Sequence, residues 1–299
     1  MKINKNKFQL DFLGIGVEKS GTSWIAECLM EHPEVNLPKE KELFFFNAYD
    51  PHYLKVENLK YDTLGFDWYE RQFKKSGRKK INGEFTPTYI YCEKAAKRIK
   101  ENSPDIKFIV VLRNPSQRAF SQYIHDKKIG LIKNISFEEA LKRHENYIEK
   151  GLYSKYLKMY FSHFPRENFF ITTFDDILAK PQKLMEEIYS FLELEKTDYI
   201  AKNTFKKSNQ ASKTIIPSLN FFMIHTEYFL RRKKLLFILN SFEKLKIRKL
   251  ALSIRNINTK PIKKYPEINE KTDLKLKKNF KKEINALEEL LGKNLDNWK

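Results

Sequence analysis

Cysteine is scarce: Cys28 and Cys92 are the only two in 299 residues, far apart, with no Cys-x-x-Cys pair and no histidine cluster beside them. Such a pattern gives no sign of a disulfide framework or a zinc site, and it predicts reduced thiols in a cytoplasmic setting. Long apolar runs are missing as well. The best candidate, over 221–239, is interrupted by Arg231, Arg232, Lys233 and Lys234. No stretch therefore approaches the ~20 residues that a transmembrane helix needs. The lysine-rich start leads only into a short apolar run over 8–17 that contains Asp11, which reads as a strand and not a signal peptide.

Acidic residues are under-represented, 38 against 57 Lys and Arg, for a net charge of +19. The excess is uneven: residues 201–299 hold 24 Lys and Arg against 9 Asp and Glu. A field of this kind attracts nucleic acid, an anionic lipid surface, a polyanionic glycan or a phosphorylated cofactor, and charge alone does not choose among them. Many of these lysines are equally well read as solvated faces. Disorder is excluded for the bulk by 24 Phe, 15 Tyr and 3 Trp, enough for a sizeable core.

No internal repeat or low-complexity segment is present. A strand over 9–16, a polar turn over 17–20 and a helix over 21–31 form the first unit. A second begins with a strand over 106–113 and continues into a helix over 115–128, which has Asn114 as N-cap and Pro115 as first helical residue. Further strands are predicted over 80–85 and 168–174, and helices over 67–75, 93–101, 153–164 and 180–192. Ser136 to Glu139 is a capping-box signature for a helix running to Lys150 and stopping at Gly151. Alternating strands and helices imply an α/β fold with a mainly parallel sheet. Beyond Asn203 the pattern changes to basic amphipathic helices over 217–230, 234–251 and 274–291.

The first strand-to-helix loop reads Gly16-Val17-Glu18-Lys19-Ser20-Gly21-Thr22-Ser23-Trp24. A loop in that place aims backbone N–H groups and the positive end of a helix at whatever binds, small side chains admit a phosphate, and Lys19 adds a point charge. An ordinary strand-to-helix turn is the bland alternative. A nucleoside triphosphatase P-loop carries its lysine just after the last glycine, whereas here the lysine precedes it.

This order of residues resembles the 5′-phosphosulfate loop of sulfotransferases that use 3′-phosphoadenosine 5′-phosphosulfate, K-S-G-T-[ST]-W, with a complete match from Lys19 to Trp24. The resemblance looks closest to the bacterial and glycan-sulfotransferase branch. It implies a strand ending in Arg followed by a helix with Ser eight residues on. Arg113 and Ser121 stand at that spacing, in Val111-Leu112-Arg113-Asn114-Pro115-Ser116-Gln117-Arg118-Ala119-Phe120-Ser121. An Arg fork and a hydroxyl at a helix start both suit a phosphate dianion. A third segment, Lys41-Glu42-Leu43-Phe44-Phe45-Phe46, is similar to the family's K-E-x-x-F-F. There the Glu deprotonates the acceptor, so Glu42 is the preferred general base and Glu40 the second choice.

Gly83-Glu84-Phe85-Thr86-Pro87 resembles the family's G-E-K-[ST]-P, with Phe85 in place of a lysine that in some members lies beside the acceptor. The loop over 206–213 falls where the family closes on the 3′-phosphate, and Lys213 is its candidate residue. His125, one helical turn past Ser121, is read as a packing or surface histidine.

The resemblance implies one domain over 1–299, with a P-loop-NTPase-like parallel sheet over about 8–200 flanked by helices, and a helical basic C-terminal part over 201–299 packed on it. It implies transfer of a sulfuryl group to an acceptor hydroxyl or amine of a glycan, lipid or small molecule, releasing adenosine 3′,5′-bisphosphate. In this reading Lys19, Ser20, Gly21, Thr22 and Ser23 hold the phosphosulfate, Trp24 stacks on the adenine, and Arg113, Ser121 and Lys213 take the 3′-phosphate. No metal is expected, because a sulfuryl group carries less charge than a γ-phosphoryl and no acidic pair stands out. Competing readings are a P-loop-type kinase or nucleotidase, disfavoured by the lysine position, and a basic protein acting on nucleic acid or a membrane surface. Nucleic acid is the less favoured partner, and peripheral contact with a membrane is compatible with the C-terminal helices.

Overall fold

In the computed structural model the described residues are 8–50, 57–73, 80–132, 135–206, 212–232, 253, 257–261 and 266–299. The elements in chain order are β1 (Phe12–Gly16), α1 (Thr22–Glu31), β2 (Val35–Asn36), α2 (Lys60–Glu70), β3 (Ile81–Phe85), α3 (Glu93–Asn102), β4 (Lys107–Leu112), α4 (Pro115–Ile129), α5 (Phe137–Arg143), α6 (Asn146–Glu149) and α7 (Tyr153–Phe161). They continue with β5 (Phe169–Thr173), α8 (Phe174–Ala179), α9 (Pro181–Phe191), β6 (Ser212–Thr214), α10 (Pro217–Arg232), β7 (Thr259–Pro261) and α11 (Glu270–Leu291).

Two compact units share these elements. One gathers the described residues of Met1–Pro51, Glu57–Arg113 and Tyr153–Ser208, the other those of Asn114–Leu152 and Asn209–Lys299. The stretch 114–152, expected in the core with 8–200, thus groups with the C-terminal residues.

The first unit is built on a parallel sheet of order β2-β3-β1-β4-β5. Every residue of β1 is buried, as are five of the six in β4, which is why these strands read as unbroken apolar runs and not as alternating ones. Across the β1–β3 pair, Phe12 faces Gly83 and Phe85 faces Gly14. A Cβ on Gly14 would lie 2.0 Å from the Phe85 ring, and one on Gly83 2.1 Å from the Phe12 ring. Each glycine is therefore the space that its partner's phenyl group fills. One face of the sheet packs Phe12, Phe85, Ile109 and Val111 against Trp24, Ile25 and Leu29 of α1 and Leu184, Met185 and Ile188 of α9. Each fully buried side chain of this size contributes about 1.5–3 kcal/mol. Elsewhere in this unit Phe108 stacks on Phe169 at 4.7 Å and meets Tyr160 and Phe164 edge-on.

In the sheet order β1 sits centrally, with β3 on one side and β4 on the other. Chain crossing to both sides of one strand makes a topological switch point, where a crevice opens beyond the carboxyl ends of the strands. Residues 17–21 and Arg113 lie at that end.

In the second unit the Asn114 side chain caps α4 by accepting from Ser116 N and Gln117 N. That helix ends at Gly130 (φ 82°), where an added Cβ would lie 2.4 Å from Phe221 N. Lys128 O accepts from Thr214 Oγ1 and from Asn220 Nδ2. α11, capped by Asn269, buries Leu276, Phe280, Ile284 and Leu287 along one stripe.

The structure departs from the sequence reading in particular places. The helix predicted over 67–75 occupies Lys60–Glu70 and is kinked at Gly65 (φ 70°, ψ 170°). The helix predicted from Ser136 to Lys150 is two, α5 and α6, because His144 turns extended (φ −133°, ψ 91°). The expected Ser136 cap on Glu139 N is present all the same. A separate helix, α8, closed by a Thr173–Asp176 capping box, precedes α9. The C-terminal part is not purely helical, since β6 and β7 pair antiparallel. The helix predicted over 234–251 lies outside the described residues.

Candidate active site

Between β1 and α1 the chain turns through Lys19 (φ 67°) and Gly21 (φ 91°), both in the left-handed region. Glycine adopts that conformation freely, whereas lysine does so only under strain, and strained non-glycine residues cluster where a site demands them. Among the described residues no side chain caps the first turn of α1, whose N-cap is Gly21. The Ser20 hydroxyl is fully buried and has no hydrogen-bond partner among the described residues. A buried hydroxyl left so costs about 1–3 kcal/mol, which a ligand oxygen would recover. The chemistry of the loop, with N–H groups at the start of a helix, a buried hydroxyl and a lysine, fits an anionic group such as a phosphosulfate.

Arg113 leaves the end of β4 and donates from Nη1 to the Lys19 carbonyl at 2.9 Å. Its guanidinium lies over the Phe174 ring at 4.5 Å, and its own carbonyl accepts from Tyr153 Oη at 2.7 Å. A planar fork held from two sides is aimed, not loose. Ser121 is a buried residue of α4 in the second unit, and Lys213 lies on β6, opposite Lys260 of β7. Most of the loop expected over 206–213 lies outside the described residues.

Trp24 belongs to the core. It is 5% exposed, and its indole N–H donates to Asn203 O at 3.1 Å. Its ring packs in the cluster between α1 and the sheet, with Ile25, Phe85 and Ile109 among the members.

The segment with the two candidate carboxylates follows β2. Glu40 is exposed, whereas Glu42 is half-buried, in the left-handed region (φ 64°), with its N–H donating to Phe85 O at 3.0 Å. Lys41 Nζ donates to Glu42 Oε1 and to Ser23 Oγ, each at 3.0 Å. One ammonium therefore ties the candidate base to the first turn of α1. Beside it a cavity of about 150 Å³ is lined by Ser23, Met30, Leu37, Pro38, Lys41 and Phe85. The rings of Phe45 and Phe46 are wholly buried. Phe45 stacks on Tyr69 at 4.8 Å, and Phe46 meets Tyr89 edge-on at 5.6 Å, so the Phe-Phe pair anchors the loop that carries Glu42.

The bridging of Lys41 and the burial of Glu84 were not legible in the sequence. Both residues stand in motifs, but nothing in a linear pattern marks which neighbours a side chain meets.

A family model described as "Sulfotransferase domain" matches residues 9–235. The heparan sulfate glucosamine 3-O-sulfotransferase 6 of Mus musculus is 29% identical over 189 residues, 61% of this chain and 52% of that protein. The heparan sulfate glucosamine 3-O-sulfotransferase 3B1 of Homo sapiens is 27% identical over 190 residues, 61% of this chain and 45% of that protein. The chain spans about half the length of these relatives. A crystal structure of a sulfotransferase from Alicyclobacillus acidocaldarius superposes with a TM-score of 0.68 at 21% identity, covering 98% of this chain and 99% of that one, and so has the same fold. The matched span includes the Lys19 loop, Glu42 and Arg113, and the chain belongs to the sulfotransferase domain family.

Proposed function

We propose that this protein transfers a sulfuryl group from 3′-phosphoadenosine 5′-phosphosulfate to an acceptor hydroxyl or amine. The observation that carries the reading is the bond from Arg113 to the Lys19 carbonyl, which couples the end of β4 to the loop after β1. When bound, the donor supplies a sulfuryl group on a phosphate leaving group. Lys19 and the N–H groups of residues 20–23 bind that phosphate and stabilise charge on its departing oxygen. Arg113 binds the 3′-phosphate as a fork, and Trp24 borders the adenine. Glu42 takes the acceptor proton, and Lys41 orients its carboxylate. As in phosphoryl transfer, positioning and charge stabilisation do most of the catalysis. On the sequence resemblance alone, Ser121 and Lys213 are assigned to the 3′-phosphate.

For the acceptor we favour a carbohydrate. The curated relatives are named for a glycan, and the excess of lysine and arginine over 201–299 suits a polyanion. Peripheral contact with an anionic membrane is a second role for the C-terminal residues, supported by exposed Phe222 (70%) and Phe229 (55%) on α10. Among the described residues no helix is long and apolar enough to cross a membrane. A cytoplasmic location fits the two free cysteines.

The test is calorimetric titration with adenosine 3′,5′-bisphosphate, 5′-AMP and ATP with magnesium. Binding of the bisphosphate at about 1 μM, more than tenfold tighter than 5′-AMP, is the expected result. Magnesium-dependent binding and turnover of ATP instead would move the site to the kinase class.

A further inference from the structure

Loop 42–47 has no regular secondary structure, and two of its non-glycine residues, Glu42 (φ 64°) and Phe44 (φ 52°), lie in the left-handed region. Each such residue costs roughly 1–3 kcal/mol, so the surroundings must over-determine the loop. The agent that does so is a carboxylate. Glu84, on β3, is 0% exposed. Its Oε1 accepts from Leu43 N at 3.1 Å and from the Thr86 hydroxyl, and its Oε2 accepts from Tyr69 Oη at 3.0 Å and Tyr89 Oη at 3.1 Å.

Two of those hydroxyls pass the hold on to the same loop. Phe44 N donates to Thr86 Oγ1, and Phe46 N donates to Tyr89 Oη, both at 3.4 Å. Three backbone N–H groups of the loop therefore end on Glu84, one directly and two through a hydroxyl it polarises. Its carbonyls are held by cations and an amide. Lys60 Nζ donates to Leu43 O at 2.9 Å, Asn58 Nδ2 donates to Phe44 O, and Arg98 Nη1 donates to Phe46 O at 3.2 Å and Asn47 O at 3.1 Å. Arg98 is itself 4% exposed and pairs with Asp62 at 2.7 Å. Burying a carboxylate is costly, and well-packed apolar residues often stabilise a fold as much. A carboxylate kept in such a place, with four donors on its two oxygens, calls for a role beyond stability.

We infer that Glu84 is a positioning residue for Glu42: it fixes the backbone of loop 42–47 so that the base meets Lys41, which also donates to Ser23, without itself touching the reactants. The inference rests on the proposed role of Glu42. Burial raises the affinity of the Glu84 carboxyl for a proton, and its four hydrogen bonds act in the opposite sense.

The experiment compares wild type with Glu84→Gln, Thr86→Val and Glu42→Gln, using hydrogen exchange by mass spectrometry, bisphosphate calorimetry and bisphosphate release from the donor with heparan sulfate or water as acceptor. A Gln at 84 keeps the shape but presents an NH2 to partners that are already donors. In Glu84→Gln the amides of residues 43–46 should exchange about tenfold faster or more, with those of β1 and β4 and the bisphosphate affinity unchanged within about twofold. Thr86→Val should loosen the loop to a lesser degree. Release by Glu84→Gln should fall toward that of Glu42→Gln, and the double variant should be no slower than Glu42→Gln alone.

Unchanged protection over 43–46 would overturn the inference, as would faster exchange spread evenly through the sheet. If Glu84→Gln does not fold, the Thr86→Val exchange decides. A wild type that binds no bisphosphate would instead sink the functional reading and leave the loop result standing by itself.

Discussion

The Arg113 guanidinium donates to the backbone carbonyl of Lys19 across 94 positions of sequence, at 2.9 Å. Two separate motifs are thereby joined, since the Arg proposed to bind the 3′-phosphate also braces the loop proposed to bind the phosphosulfate. Lys19 sits in the left-handed region, and an external bond to its carbonyl is what such a conformation needs.

Arg113→Ala should weaken adenosine 3′,5′-bisphosphate binding by about 2–3 kcal/mol and bring it level with 5′-AMP. Arg113→Lys should recover only part, because an ammonium replaces the charge but not the two-pronged geometry or the ring contact with Phe174. Calorimetry with both nucleotides separates these outcomes, and equal losses for both would count against a 3′-phosphate role.

Lys19→Ala should lower kcat about 10²–10³-fold, as expected for removal of a group that acts on developing charge. Affinity for the bisphosphate product should change far less. Steady-state kinetics beside calorimetry decide the matter: matching losses in both would mean that Lys19 only binds.

Replacement of Glu42 by Gln should reduce kcat by about 10²–10⁴-fold with little change in bisphosphate affinity, since the side chain meets Lys41 on the acceptor side of the proposed reaction. The same change at exposed Glu40 should leave turnover within about twofold of wild type. Reversed results would transfer the base assignment to Glu40.

Gly14→Ala should destabilise the fold by about 1–3 kcal/mol. The new methyl group would stand 2.0 Å from the ring of Phe85, which is packed in the core and cannot simply swing away. The midpoint of urea unfolding measures the loss, and a midpoint equal to wild type would disprove this Gly–Phe packing.

Cys28 should resist alkylation in the native protein at pH 8, while Cys92 reacts. Burial pushes the Cys28 thiol up to about 12, whereas Cys92 is only partly covered. Since the folded protein holds this proton more tightly than the unfolded chain, the associated stability is complete below the ordinary thiol range near ~8.5 and is lost as pH rises toward 12. Urea midpoints at neutral and alkaline pH, for wild type and Cys28→Ala, test this: the variant should show the shallower alkaline decline.

The sequence by itself determined the apolar strands, the capped helices after β1 and β4, and the three motif segments, because each depends on local spacing, a cap or a run of residues that no distant partner has to supply. Asn114 and Ser136 mark helix starts through bonds to their own next turn, which the structure forms, and Pro115 does so through its fixed φ at the first helical position. What only the tertiary structure decided depends on residues brought together across the sheet. It grouped 114–152 with the C-terminal residues, turned Trp24 into the core and split the helix at His144. It also separated Glu42 from Glu40, by joining Lys41 to Ser23 and by gathering Leu43, Phe44 and Phe46 around the buried carboxylate of Glu84, a partner some 40 positions away. Burial and hydrogen-bond direction belong to the packed chain, and no linear pattern carries them.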